Sequence, residues 1–161
     1  MRKVFAAELY KQMQENKNVW FITLDLGYKV FDTIRHDFPD RSINTGASEV
    51  AGIDIAVGLA LEGKIPFVYS ITPFVLFRPF EAIRNYIHHE KLNVKLVGNG
   101  RLQDYAHDGY SHWPIEEHTV LRSLSNIQLV RPDSEDMIPE LVRRMVHYHK
   151  PYFLSLEKPS I

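Results

Sequence analysis

The chain has 161 residues, of which 45% are hydrophobic and 24% charged, and its formal net charge at pH 7 is −1. This length predicts a single domain with a substantial hydrophobic core, spanning residues 1–161. The near-neutral charge argues against a nucleic acid or a membrane surface as partner. The sequence has no cysteine, which excludes disulfides and thiolate chemistry, and no apolar run long enough to span a membrane. We therefore expect a soluble, cytoplasmic protein.

Helix and strand patterns alternate along the chain. The opening helix is indicated by Phe5, Leu9 and Met13, which are spaced four apart on one helical face. The nearly continuous apolar run of residues 19–24 is typical of a strand that is buried on both faces, as in a parallel sheet. The predicted helices lie around residues 5–13, 30–34, 49–61, 79–89, 116–124 and 134–149, and the predicted strands at 19–24, 41–44, 66–70, 94–98, 127–130 and 152–156.

This alternation predicts an α/β fold, with a mainly parallel sheet flanked by helices on both faces. The longest stretch without clear periodicity runs from Asn99 to Pro114, directly after a predicted strand. Ligands of parallel sheets bind beyond the carboxyl ends of the strands, and long loops in compact domains are often functional. This loop is therefore a candidate part of a binding site.

Glu49 begins an otherwise apolar helix immediately after a loop. One interpretation is structural, because a carboxylate at a helix N-terminus stabilises the helix by roughly 0.3–1 kcal/mol. The other is functional, because carboxylates in apolar surroundings often mark reactive sites. The residues around Glu49 leave both interpretations open.

Three phenylalanines, Phe74, Phe77 and Phe80, are spaced three apart after a predicted strand. Core packing is the ordinary explanation for such aromatic residues. However, Pro73 and Pro79 bracket the first two rings, and we do not expect this stretch to be regular helix. An aromatic platform for a flat ligand ring is therefore a second interpretation.

The long loop carries His107, Asp108, Ser111 and His112. We expect no metal site here, because these residues lack a further ligand at suitable spacing. A polar substrate suits the loop better. The sequence also lacks the G-x-S-x-G, G-x-G-x-x-G and P-loop motifs, which argues against a serine hydrolase, a dinucleotide-binding domain and a P-loop nucleotidase.

Five segments, in the same order and spacing, resemble the transketolase family. They are similar to the family's "FP-x-R-x-x-N-x-G-x-x-E", "GLAL-x-GK-x-PF", "W/Y-E-Q-I-R", "LNVK-x-V-G" and "DG-x-[ST]-H-Q-x-x-E-D" stretches. Together they extend the resemblance over almost the whole chain, from about residue 3 to residue 158. The segments lie at residues 38–49, 58–67, 80–84, 92–98 and 108–117.

The resemblance implies a role in binding thiamine diphosphate, whose aminopyrimidine is held by one domain and whose diphosphate and Mg²⁺ are held by another. Glu49 matches the carboxyl group that pairs with a ring nitrogen of the pyrimidine. In its protonated form this group donates to the ring and favours the imino tautomer, and apolar surroundings favour that protonated form. Phe74 matches the ring that packs on the pyrimidine, and Phe77 is expected to form a second wall.

The resemblance also implies that Asp108 and His112 contact the sugar substrate. The chain departs from the family at three positions: Trp113 replaces the usual Gln, Gly100 falls near a histidine that serves substrate hydroxyls, and Lys158 replaces a phosphate-binding arginine. Lysine can still bind phosphate as a point charge, without bidentate geometry. The substrate is therefore expected to differ from the usual phosphorylated ketoses.

The chain has no Gly-Asp-Gly segment, which is the family's metal-binding signature. The resemblance therefore implies the small subunit of a split transketolase, which performs two-carbon (ketol) transfer only with a larger diphosphate-binding subunit. Two copies of each subunit form the expected heterotetramer, because such sites lie at symmetric interfaces. Two alternatives stay open: another thiamine-diphosphate enzyme, of the 2-oxoacid dehydrogenase β-type or deoxyxylulose-phosphate synthase type, and a non-catalytic assembly subunit.

Overall fold

The computed structural model of the chain describes residues 1–158. Its centre is a six-stranded sheet with the strand order β2-β1-β3-β4-β6-β5, in which all neighbouring strands are parallel. The strands are β1 (Val19–Thr23), β2 (Ser42–Asn44), β3 (Ile65–Ile71), β4 (Lys95–Asn99), β5 (Gln128–Val130) and β6 (Tyr152–Leu156). The helices are α1 (Arg2–Glu15), α2 (Asp32–Asp37), α3 (Glu49–Leu61), α4 (Thr72–Leu76), α5 (Phe80–Ala82), α6 (Glu117–Ser123) and α7 (Ile138–His147).

Helices cover both faces of the sheet. On one face α1, α2 and α7 pack against strand residues such as Phe21, Phe67 and Leu154. On the other face α3, α4, α5 and α6 pack against their sequence neighbours Ile22, Val68 and Phe153. Because successive strand residues point to opposite faces, a strand that is covered on both sides must be apolar throughout. The predicted α/β fold with a mainly parallel sheet is confirmed.

The stretch between the two prolines differs from the expectation. Residues Thr72–Leu76 form the short helix α4, so the prediction that this stretch is not regular helix is wrong. Pro73 lies in the first turn, where its missing N–H costs no helical hydrogen bond, and the N–H of Phe77 donates to the carbonyl of Pro73 at 2.9 Å. Proline therefore starts this helix instead of preventing it.

Two other segments carry more local structure than their sequence patterns predict. The helix predicted at 79–89 begins as α5 and continues as a π-helix over Ile83–His88. The long loop from Asn99 to Pro114 contains two short 3₁₀ turns, Ala106–Asp108 and Tyr110–His112. Within residues 1–158, no helix combines the length and the apolar character that crossing a membrane requires.

Candidate active site

Glu49 lies at the carboxyl edge of the sheet, as the first residue of α3. The preceding turn is held by Asn44, the last residue of β2, whose Oδ1 accepts the N–H groups of Asp25 and Gly46 at 3.1 Å each. Gly46 has φ +64°, a conformation that glycine adopts without a steric penalty. The turn therefore directs the chain from β2 into α3 and leaves Glu49 only 8% exposed.

The aromatic pair follows β3, the strand two places away from β2 in the sheet. Phe74 lies within α4 and Phe77 directly follows its end, and both rings are half-buried. Phe77 also lines a largely apolar cavity of about 370 Å³ together with Tyr110 and Trp113 of the long loop. One helical turn thus presents two partly accessible rings at the same edge of the sheet as Glu49.

Arg78 joins Glu49 to Phe74. Its Nη1 donates to Oε1 of Glu49, and its guanidinium carbon lies 3.8 Å from the centre of the Phe74 ring. Sequence reasoning missed this residue, because Arg78 and Glu49 are 29 positions apart and no pattern links them. The one signal in the sequence was that Arg78, a cationic residue, directly follows the suspected aromatic pair of Phe74 and Phe77.

The long loop reaches the aromatic platform through His112. The His112 ring makes an edge-on contact with Phe74, with ring centres 5.0 Å apart, and its Nδ1 lies 3.0 Å from the Ser111 hydroxyl. Asp108 is exposed, and its carboxylate lies 3.1 Å from Nε2 of His107. The structure therefore brings His112 to the Phe74 platform, whereas Asp108 pairs with its own neighbour.

Tyr105 organises the interior of the loop. Its hydroxyl is hydrogen-bonded to the side chain of Asn99, and its carbonyl accepts N–H groups from Asp108 at 3.0 Å and from the Trp113 indole at 3.2 Å. The ring lies against Gly100, where an added Cβ would come within 2.5 Å of it. Burial raises the pKa of the Tyr105 hydroxyl. Glycine at this position therefore makes room for the Tyr105 ring.

Lys158 closes the same corner of the loop. Its ammonium nitrogen lies 4.4 Å from the centre of the Tyr105 ring, and its backbone N–H donates to Asp104 Oδ2 at 2.9 Å. The resemblance assigns this position to phosphate binding. In this structure the ammonium group of Lys158 lies over the Tyr105 ring, and phosphate binding by this lysine stays a prediction.

The chemistry of the edge fits an aminopyrimidine. A flat, nitrogen-rich ring needs an aromatic face to lie on and a carboxyl group at its rim, and the Arg78 guanidinium already makes both contacts, with Phe74 and Glu49. A metal site finds no such support: among residues 1–158, no three His, Cys, Asp or Glu side chains gather into a group that could hold an ion.

Comparison with known proteins identifies the family. Residues 1–161 match the family described as the transketolase pyrimidine-binding domain. A transketolase C-terminal section from Methanocaldococcus jannaschii is 30% identical over 159 residues, which cover 98% of this chain and 50% of that protein. One of the subunits of an apulose-4-phosphate transketolase from Actinobacillus succinogenes is 30% identical over 121 residues, covering 75% of this chain and 39% of that protein.

A solved structure shows the same fold. It is a split-gene transketolase in the form of an inactive β4 tetramer, with 30% identity and a TM-score of 0.86. The alignment covers 99% of this chain and 52% of that one, so the chain spans about half the length of the relatives it matches. The chain belongs to the transketolase family, as a pyrimidine-binding domain.

Proposed function

We propose that this chain holds the aminopyrimidine of thiamine diphosphate in a split transketolase. The observation that carries the proposal is the position of Glu49, a buried carboxyl group at a helix start, within reach of the same planar group that lies on Phe74. When bound, thiamine diphosphate supplies the electron sink for transferring a two-carbon ketol unit between sugars. Membership of the family and the split-subunit relatives favour this function over the other thiamine-diphosphate enzymes and over a purely structural subunit.

Glu49 has the chemical role in this proposal. Its carboxyl group holds a proton at the pyrimidine ring nitrogen, and its burial at the start of α3 keeps water away from that contact. Phe74 and Phe77 orient the ring between them, because aromatic faces bind flat rings by stacking. The chain thereby fixes both the orientation of the ring and the position of the proton.

The substrate-binding part of the proposal rests on the long loop. His112 is supported as a substrate contact by its position against Phe74, next to where the pyrimidine would lie. Asp108 is exposed and can contact a sugar hydroxyl when a substrate or a partner orders the loop. Lys158 supplies one positive charge at the Tyr105 corner, which suits an anionic substituent of a sugar substrate in carbohydrate metabolism.

A partner subunit completes the proposed site. Helix α3 exposes apolar side chains to solvent, such as Val50 at 51% and Leu61 at 69%. Burying such side chains against a second subunit would be favourable. We propose that a larger subunit carrying Gly-Asp-Gly covers this region and holds diphosphate and Mg²⁺. Two copies of each subunit would form a heterotetramer in the cytoplasm. The single domain expected over residues 1–161 stays a prediction.

Calorimetry tests the proposed function. Thiamine diphosphate is titrated with Mg²⁺ into this chain alone and into its mixture with a Gly-Asp-Gly chain. We expect tight binding only by the mixture, and roughly tenfold weaker binding for Glu49→Ala, because a buried ring nitrogen left without its hydrogen-bond donor costs about 1–3 kcal/mol. Glu62→Ala, an exposed residue at the other end of α3, is the matched control.

Two results would contradict the proposal. If thiamine diphosphate binds to neither sample, the chain has no role in binding this cofactor, and an assembly role is favoured. If wild type and Glu49→Ala bind it equally well, Glu49 does not contact the cofactor.

A further inference from the structure

Resting on the proposed function, we propose that Arg78 occupies the pyrimidine site of the free chain and must leave it before the cofactor can bind. Its guanidinium makes the two contacts that the pyrimidine needs: it is hydrogen-bonded to the Glu49 carboxylate and lies 3.8 Å from the centre of the Phe74 ring. The guanidinium therefore takes up one carboxyl oxygen of Glu49 and one face of the Phe74 ring, the two side chains that the pyrimidine also uses. Arg78 therefore competes with the pyrimidine as an internal ligand.

The side chain of Arg78 is placed to move. It is 48% exposed, whereas the Glu49 side chain that it contacts is only 10% exposed. The guanidinium can therefore move into solvent, while Glu49 and Phe74 are held by α3 and α4.

A second position for the guanidinium is available next to the first. Arg78 lines an open cavity of about 340 Å³ that is also lined by Asp54 of α3 and Glu81 of α5. Both carboxylates are exposed side chains, and both carry the charge that a displaced guanidinium needs. The rearrangement exchanges one carboxylate partner of Arg78 for two others and frees Glu49 for the ring nitrogen.

Four charged or titratable groups surround the place where this exchange occurs. They are Arg78 itself, Asp54 and Glu81 at the cavity, and His112 on the Phe74 ring. Arg78 contacts both Glu49 and Phe74, and it is thus a positioning residue that acts on the cofactor site through them.

The test compares variants of the mixed complex by calorimetry. Thiamine diphosphate with Mg²⁺ is titrated into each variant complex, which gives the affinity. Arg78→Met should bind roughly five- to tenfold more tightly, because it no longer competes for Phe74 and Glu49.

Two further variants make the result specific. Asp54→Asn combined with Glu81→Gln should weaken binding several-fold, because the displaced guanidinium loses its second position. Arg84→Met, whose parent residue is exposed and contacts the Asn85 side chain at 3.1 Å, should match wild type in affinity. Arg78→Lys keeps the charge but not the planar contact with Phe74, so it should still bind more tightly than wild type.

The outcomes separate this inference from the proposed function. If wild type binds and Arg78→Met binds equally or more weakly, the proposed function stands and the competition is excluded. If the wild-type complex binds no thiamine diphosphate, the proposed function fails, and the competition fails with it.

Discussion

Two buried glutamates occupy equivalent positions in this fold, but they lie in different surroundings. Glu49 and Glu117 are each the first residue of a helix, α3 and α6, and they are 8% and 2% exposed. Glu49 pairs with the half-exposed side chain of Arg78 beside a half-buried aromatic ring. Oε1 of Glu117 has no hydrogen-bond partner among residues 1–158, and burial raises the pKa of this carboxyl.

The difference shows what burial of a carboxyl group can and cannot indicate. Burial disfavours the charged form of Glu117. Glu49 lies beside an accessible aromatic ring, and the arginine that covers this ring is half-exposed. The cations Arg101 and Arg131 and the hydroxyl of Ser155 lie near Glu117, and the Ser155 hydroxyl accepts an N–H of Arg101 at 3.3 Å. A ligand site therefore requires an accessible surface next to the carboxyl group, in addition to burial.

Turnover is the strongest test of this comparison. In the reconstituted complex, we expect Glu49→Gln to reduce turnover by about 100-fold or more, since a proton held in position commonly contributes 10²–10⁴-fold. Glu117→Gln is the matched variant, with the same change at the start of another helix, and should retain wild-type turnover. A coupled assay with a ketose donor measures both. Unchanged turnover in Glu49→Gln, or an equal loss in both variants, would break the comparison.

Cofactor affinity gives the second test. Phe74→Leu keeps an apolar side chain but removes the aromatic face, and we expect roughly fivefold weaker binding of thiamine diphosphate, as aromatic pairs contribute about 0.5–1.5 kcal/mol beyond area. Phe38→Leu, a half-buried phenylalanine that packs on the opposite face of the sheet, is the control and should leave affinity unchanged. Calorimetry on the mixed complex measures the difference. Equal loss in the two variants would mean that Phe74 acts only through packing.

Stability against pH gives the smallest expected effect. The pKa of Glu117 is raised in the folded state by burial, so folding favours the protonated form. The contribution of Glu117 to the free energy of unfolding is therefore largest below the unfolded pKa of glutamate, and it is lost as the pH rises through the higher folded pKa. At pH 7 Glu117→Gln should be about 1 kcal/mol more stable than wild type, because it no longer buries a charge.

Urea denaturation at neutral pH and near the unfolded pKa of glutamate checks this sign. The stability gap between Glu117→Gln and wild type should narrow at the lower pH. A gap that widens there would show that the carboxylate form of Glu117 is the one that the fold stabilises.

Much of the fold could be predicted from local pattern. Runs such as residues 19–24 and 152–156 are apolar nearly throughout, and a strand covered on both faces requires that composition. The short helix α4 could not be predicted in this way. The prolines that bracket it disfavour helix in general, and only the position of Pro73 in the first turn makes it compatible.

The candidate site was predictable only in part. Glu49 and His112 lie in motifs that keep their spacing along the chain, and Phe74 and Phe77 were indicated by their regular spacing after a predicted strand. Arg78 does not, because its contact with Glu49 depends on how α3 and α4 meet at the sheet edge. The packing of Tyr105 could not be predicted for the same reason. Only the folded structure shows that Gly100 leaves room for the Tyr105 ring.

The sequence by itself determined the class of fold, the family and the residues that carry the motifs, because periodicity and spacing are local properties of the chain. The tertiary structure decided which of these residues meet. It paired Arg78 with Glu49 over the Phe74 ring, and it placed the ammonium group of Lys158 over the Tyr105 ring. Such contacts join residues from different strands and helices, so they follow from the order of strands in the sheet and from the packing above it.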